Sequence, residues 1–171
     1  SSTLPRTTTN PNGGVSSSVA AVSANAATMT WDGNWSPVRE PGGTSVAESV
    51  RRALLEADHQ VAPVAELFLF LAARADLTAQ VLRPELDRGR VGLADRFTLS
   101  TEVYQVVGRG LDRNLVAAGN AAATGGLKPD LTLVLDLPPG VGRGRQEAAG
   151  KALDRLDRES GDFHDRICRA Y

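Results

Sequence analysis

The chain has 171 residues, 42% apolar and 23% charged, with a formal net charge of −1. That length suits a single domain, and the composition excludes fibrous repeats and wholesale disorder. The near-zero charge excludes nucleic-acid binding through bulk positive charge, and a lone cysteine, Cys168, excludes a disulfide framework or a thiolate metal cluster.

Ser1 to Pro37 carries only Arg6 and Asp32 as charged residues and is rich in Ser, Thr, Asn, Ala and Gly. Its apolar residues hold neither a helical nor a strand period for long. Val19 to Ala27 fits a short strand or helix with unmarked ends, and Trp31 and Trp35 either cap a small cluster or lie exposed. An atypical low-charge segment, read as a poorly ordered tail, is the expectation for 1–37, with the folded domain over 38–171. No apolar h-region follows Arg6, so the start does not read as a secretory signal.

Firmer signals begin at Val38. Pro41-Gly42-Gly43 is a turn, and Ser45 with Glu48 has capping-box spacing for a helix from about Val46 to Ala57, with Val46, Val50 and Leu54 as its buried stripe. The longest apolar run, Val61 to Ala73, is broken by Pro63 and Glu66 and is too short to span a bilayer. Its helical pattern predicts Val64 to Val81 with Leu67, Phe70, Leu71 and Leu77 inward, and Pro84 either kinks that helix or starts a further turn. Arg90 to Ala94 reads as a short buried strand ending at Asp95-Arg96. A helix is predicted over Thr101 to Ala118, a second buried strand over Leu131 to Leu135, and a last helix over Asp157 to Tyr171. Strands separated by helices predict a parallel α/β sheet, whose ligands gather outside the carboxyl ends of the strands. Asp95, Arg96 and Asp136 stand at those ends, although an Asp-Arg pair alone is as well explained by a surface ion pair.

Phe70 and Arg74 lie one turn apart on a helix face. A flat ring beside a guanidinium suits a planar heterocycle, which stacks on one and accepts hydrogen bonds from the other. On spacing alone, a core Phe70 with a solvated Arg74 is the simpler account. His59 and His164 are the only histidines, and no further motif makes a catalytic triad or a metal site from them. Cys168 reads as a packed or partly exposed helix residue.

Several short motifs occur in order from Arg39 to Tyr171. They are Arg39-Glu40-Pro41-Gly42-Gly43-Thr44; Glu66-Leu67-Phe68-Leu69-Phe70 leading to Arg74; Asp95-Arg96-Phe97 with Ser100-Thr101 and Tyr104-Gln105; Gly108-Arg109-Gly110-Leu111-Asp112; Gly126-Leu127-Lys128-Pro129-Asp130-Leu131; and Asp154-Arg155 before Asp162-Phe163-His164. Over residues 39–171 the chain resembles thymidylate kinase of the bacterial type. The resemblance implies an α/β fold, a P-loop nucleoside monophosphate kinase-like parallel sheet flanked by helices, with a lid at about 138–158. It implies transfer of the ATP γ-phosphate to dTMP, giving dTDP for dTTP biosynthesis, with Mg²⁺ arriving with ATP. Phe70 would stack on thymine and Arg74 would bond its edge, while Thr101 and Gln105, with Ser100 nearby, complete base recognition. Tyr104 would pack on the sugar. Arg96, assisted by Arg51, would hold the dTMP phosphate, Arg39 and Pro41 would line its pocket, and Asp95 would organise the Mg²⁺ region. Arg143, Arg145 and Arg155 would contact ATP phosphates from the lid, with Gly140, Gly142 and Gly144 keeping its approach flexible. A cytoplasmic homodimer is implied, with dTMP and ATP as partners and neither a nucleic-acid polymer nor a membrane.

The family's loop Gly-x-x-x-x-Gly-Lys-Ser/Thr, whose backbone N–H groups cradle phosphates, has no counterpart: no Gly-Lys-Ser or Gly-Lys-Thr occurs. A sheet incomplete at both ends is therefore expected, and 1–37 is read as a frame error, a truncation or a different element. Two alternatives to the kinase reading are a catalytically inactive nucleotide-binding remnant and a kinase for another nucleoside monophosphate.

Overall fold

A computed structural model describes residues 17–23, 35–56, 60–135, 139–150 and 152–171, with the backbone alone for 17–23, 139, 140, 143 and 147. Trp31, His59, Asp136, Lys151 and the end of the Val19–Ala27 stretch lie outside the described residues. Four strands, β1 (Ser17–Ser23), β2 (Trp35–Arg39), β3 (Val91–Asp95) and β4 (Leu131–Leu135), form one sheet in the order β2-β3-β1-β4. β2 runs parallel to β3, and β1 runs antiparallel to both β3 and β4, so β2, β3 and β4 share one direction. The expected parallel sheet thus holds for three strands, and the segment read as a poorly ordered tail contributes the fourth. Ser23 and Trp35 both stand opposite Val91. The chain leaves β1 and enters β2 at the same end of the sheet, so no crossover helix is needed between them.

β2 breaks the usual strand pattern through Pro37, which removes a ladder donor; it is tolerated because β2 is an edge strand. β4 is a strand as predicted but not a buried one. All five of its residues are exposed, because it sits at the other edge and no described element covers either face.

Helix α1 (Ser45–Arg51) continues into a π-helical turn over Arg52–Glu56. Its cap is Thr44, one residue earlier than the predicted Ser45: the Thr44 hydroxyl accepts from the Ala47 N–H at 3.1 Å. The glutamate meant for the capping box instead accepts from the Gly43 N–H and from Arg39. The helix and its extension bury Ala47, Leu54 and Leu55 and leave Val46 exposed. α2 (Pro63–Leu77), a π turn over Thr78–Leu82 and α3 (Arg83–Asp87) form one continuous rod. Pro84 lies in its last segment, directly after the π turn, where the i→i−4 ladder is already interrupted.

The predicted helix over Thr101–Ala118 is two. α4 (Thr98–Thr101) runs on as a π-helical segment to Gly108, and α5 (Arg113–Thr124) starts afresh. Gly110, at φ 72°, turns the chain, and the Asp112 carboxylate caps α5 by accepting from the Leu115 N–H at 2.9 Å. α6 (Pro139–Ala148) is helical despite its three glycines, and α7 (Gly161–Ala170) begins after the Ser160 cap, later than Asp157. The core divides into three clusters around Leu77–Leu82–Phe97, Leu67–Leu71–Val116 and Val103–Phe163–Ile167. Among the described residues, no helix is long and apolar enough to cross a membrane.

Candidate nucleotide site

A cleft of about 560 Å³ opens outside the carboxyl ends of β2 and β3, where ligands of α/β sheets bind. Arg39, Glu40 and Pro41 enter it from β2, Asp95 and Arg96 from β3, and Arg51 from α1. Phe70 and Arg74 come from α2, Ser100, Thr101, Tyr104 and Gln105 from α4 and its extension, and Gly142 and Gln146 from α6. Asp154, Asp157, His164 and Asp165 complete the far wall. Eleven of the residues singled out in the sequence therefore share one cavity: Arg39, Pro41, Arg51, Phe70, Arg74, Asp95, Arg96, Ser100, Thr101, Tyr104 and Gln105.

Arg96 sits in the left-handed region at φ 67°, unusual for a side chain that large. Its guanidinium carbon lies 5.2 Å from the Tyr104 ring centroid, a cation–π distance. Burial alone would draw its pKa down; Tyr104, Tyr171 and Asp95 more than offset this and push it further up. No described carboxylate comes within ion-pair distance of Arg96 or Arg51, and Arg51 is aimed by a 2.9 Å bond to the Pro41 carbonyl. Two cations at a strand end with charge to spare suit a phosphate. Arg39 is mostly exposed and pairs with Glu48 at 3.1 Å.

Arg74 is placed differently from the sequence expectation. It is buried, and all five of its N–H groups have protein acceptors: Glu40 through Nε at 2.9 Å and Nη2 at 2.5 Å, Thr101 Oγ1 at 2.7 Å, Asn120 Oδ1 at 2.6 Å and the Phe97 carbonyl at 3.3 Å. A base edge can be bonded by Arg74 only at the expense of one of these. Burial holds the Glu40 carboxyl above the usual glutamate range, with Arg74 pulling the other way.

A second buried carboxylate, Glu66, accepts from Gln105 Nε2 at 3.0 Å, from Arg109 Nε and Nη2 at 2.9 Å each, and from Arg155 Nη2 at 2.5 Å. Arg155 also donates from Nε to the Leu54 carbonyl at 2.7 Å and does not line the cleft. The guanidinium expected to contact ATP phosphates is thus held here by a buried carboxylate and the Leu54 carbonyl. Arg145 is exposed on α6 and is not among the lining residues, and the Arg143 side chain lies outside the described residues. Ser100 lines the cleft with its hydroxyl 2.9 Å from that of Tyr171.

The family model for Thymidylate kinase matches residues 29–171. The chain belongs to the thymidylate kinase family. The match starts ten residues before Arg39, so it includes β2, and it is echoed by individual relatives. Thymidylate kinase of Desulfovibrio desulfuricans is 49% identical over 140 residues, covering 78% of this chain and 64% of that one. Thymidylate kinase of Pseudomonas putida is 50% identical over 134 residues, covering 78% and 63%. The crystal structure of thymidylate kinase from Ehrlichia chaffeensis aligns with a TM-score of 0.55 at 33% identity, over 58% of this chain and 55% of that chain. The chain thus spans under two thirds of the length of these thymidylate kinases.

Within this thymidylate kinase fold, Glu66 and Arg109 stand in the quoted motifs without a role, and Asn120 and Tyr171 carry none in the sequence, yet all four support the site. Glu66 carries a physical signal as well, a lone charge within the apolar run Val61–Ala73.

Proposed function

We propose that the chain binds dTMP in this cleft and acts as a thymidylate kinase, passing the γ-phosphate of ATP to dTMP to give dTDP. The observation that carries this reading is that Phe70 and Arg96 line one cavity. The pyrimidine lies against Phe70, the 5′-phosphate reaches Arg96 and Arg51, and Tyr104, stacked on Arg96, faces the sugar. Phosphoryl transfer asks a protein mainly for positioning and charge neutralisation, and guanidinium forks supply both for an acceptor phosphate. Their charges hold the acceptor oxygen in place and reduce its repulsion from an incoming polyphosphate.

Mg²⁺–ATP, when bound, supplies the phosphoryl group and a metal that neutralises it. Mg²⁺ keeps most of its waters and takes one or two carboxylates; Asp95, exposed at the end of β3, fits that need, and no cluster of three ligating side chains occurs among the described residues. The ATP phosphates find a poorer fit. The 171 residues contain no Gly-Lys-Ser or Gly-Lys-Thr, and β1 runs against its neighbours, so the chain following it leaves from the end of the sheet remote from Asp95. That favours a second reading, a dTMP-binding chain without turnover. The same family reading carries a cytoplasmic homodimer; Val64, Phe68 and Ala72, exposed along one face of α2, support the pairing.

Thermal unfolding with and without dTMP, together with a coupled assay for dTDP in ATP and Mg²⁺, separates the readings. Saturating dTMP at 100-fold its Kd stabilises by about 2.7 kcal/mol, a rise of several degrees in Tm. Stabilisation with dTDP production supports the kinase, stabilisation without it supports the binding chain, and no stabilisation rejects both.

A further inference from the structure

We infer that Tyr171 is a positioning residue for Arg96: its hydroxyl, fixed by Ser100, holds the guanidinium in place, although Tyr171 does not itself line the cleft. The inference rests on the reading of Arg96 as the group that takes the dTMP phosphate. Arg96 needs such help more than most arginines do. Its backbone stands in the left-handed region at φ 67°, and a residue keeps that shape only where its surroundings dictate it. A guanidinium on a long stem must also give up rotamer freedom before it meets an anion in one geometry. No described carboxylate stands within ion-pair distance to fix it, so rings and hydroxyls have to.

These groups come from α4 with its extension and from α7. Ser100 and Tyr104 are one turn apart and share a face. The Arg96 guanidinium lies over the Tyr104 ring at 5.2 Å, and Phe163 of α7 meets that ring edge-on, with centroids 6.1 Å apart. The Tyr171 hydroxyl, just past the end of α7, is 2.9 Å from that of Ser100. α7 thus grips this face through Phe163 on Tyr104 and through Tyr171 on Ser100. Burial works against the Arg96 cation; of the groups that oppose burial, Tyr104 acts most strongly and Tyr171 next, ahead of Asp95. A guanidinium offers only donors, so a phenol oxygen beside it turns lone pairs to it and directs its own proton elsewhere. Ser100 Oγ is placed to accept that hydrogen bond. Fixing the phenol fixes its lone pairs, and the lone pairs fix where the guanidinium waits for an anion.

Titration calorimetry on the whole chain with dTMP and with thymidine reads this, because thymidine carries the same base and sugar without the phosphate. Tyr171→Phe keeps the ring packed against Val103, Phe163 and Ile167 and removes only the hydroxyl. It should weaken dTMP by about fivefold and leave thymidine unchanged. In an Arg96→Ala background the same substitution should cost dTMP nothing further, because no guanidinium is left to position. A merely structural Tyr171 would weaken dTMP and thymidine alike, and in both backgrounds. Either result overturns the inference, as does unchanged dTMP affinity in Tyr171→Phe. Ser100→Ala, which removes the hydrogen bond and leaves the phenol ring, serves if Tyr171→Phe does not fold. Its preference for dTMP over thymidine should fall in the same sense, and an unchanged preference again overturns the inference. Wild-type chain that binds dTMP and loses nothing on Arg96→Ala removes Arg96 from the phosphate and Tyr171 with it. A wild-type chain that binds neither ligand overturns the nucleotide reading beneath both.

Discussion

Truncating Glu66 tests how the interior supports the site. The side chain is fully buried and accepts four hydrogen bonds, one from Gln105, two from Arg109 and one from Arg155. Glu66→Ala would leave both guanidiniums, 15% and 12% exposed, without that carboxylate. Removing one partner of a buried pair costs about 3–5 kcal/mol because the remaining charge stays desolvated. Arg109 retains Glu159 at 2.6 Å and Arg155 retains the Leu54 carbonyl at 2.7 Å, which places the expectation at the lower end, about 3 kcal/mol. Urea unfolding followed by far-UV circular dichroism reads this as a midpoint lowered by about 1 M or more. A pH series adds a signed check. Burial draws the Glu66 pKa upward, but Arg109, Arg155 and Gln105 outweigh it and hold the carboxyl below the usual glutamate value of 4.5. A depressed acid contributes stability that is whole above its unfolded pKa and lost as pH falls through its folded one. The gap between wild type and variant should therefore be widest at neutral pH and close in acid. A loss under about 1 kcal/mol at neutral pH, or a gap that stays constant into acid, would refute the reasoning.

Three further outcomes follow from the cleft and its supports. Phe70→Ala should weaken dTMP binding by about 1–3 kcal/mol, the worth of one base–aromatic stack, measured by titration calorimetry; unchanged affinity removes Phe70 from the base site. Arg96→Ala should weaken dTMP by about 1.5–3 kcal/mol while leaving the much weaker affinity for thymidine unaltered, and an equal loss for both would show that Arg96 does not hold the phosphate. Gly108→Ala should lower Tm, because its Cβ would stand 2.7 Å from Phe163 Cε2 and 2.9 Å from Ile167 Cδ1. Overpacking of that kind costs about 1–3 kcal/mol, and a calorimetric Tm at or above wild type would mean the contact relaxes freely.

Much of the framework was legible because its signals are local. β4 follows from a run of Leu, Thr and Val after a turn, and α2 from apolar spacing, its start one residue from the predicted Val64 and its α-helical end at Leu77, four residues before the predicted Val81, where a π turn takes over. What could not be read was set by partners far away in sequence. β4 was expected inside the sheet, yet its run of apolar residues says nothing about which strands stand beside it. β1 lacks a clear period in its sequence, and its direction depends on where the chain enters β2. At the site, Phe70 and Arg96 were visible as types suited to a ring and an anion. Arg74 and Arg155 carry the same chemistry in sequence as any phosphate-binding arginine. Only the fold reveals that one is saturated by Glu40, Thr101 and Asn120 and the other is tied to Glu66.

The backbone at Arg96 sets stability and function against each other. A side chain in the left-handed region costs about 1–2 kcal/mol, more than the roughly 0.5–1 kcal/mol that glycine loses through its freer unfolded chain. Glycine would be the more comfortable occupant, yet it would carry no cation to the cleft. Selection of variants for heat resistance alone would drift toward that replacement and yield sturdier proteins without this cation, whereas selection for dTMP capture, if the proposed reading holds, would keep the arginine despite its discomfort.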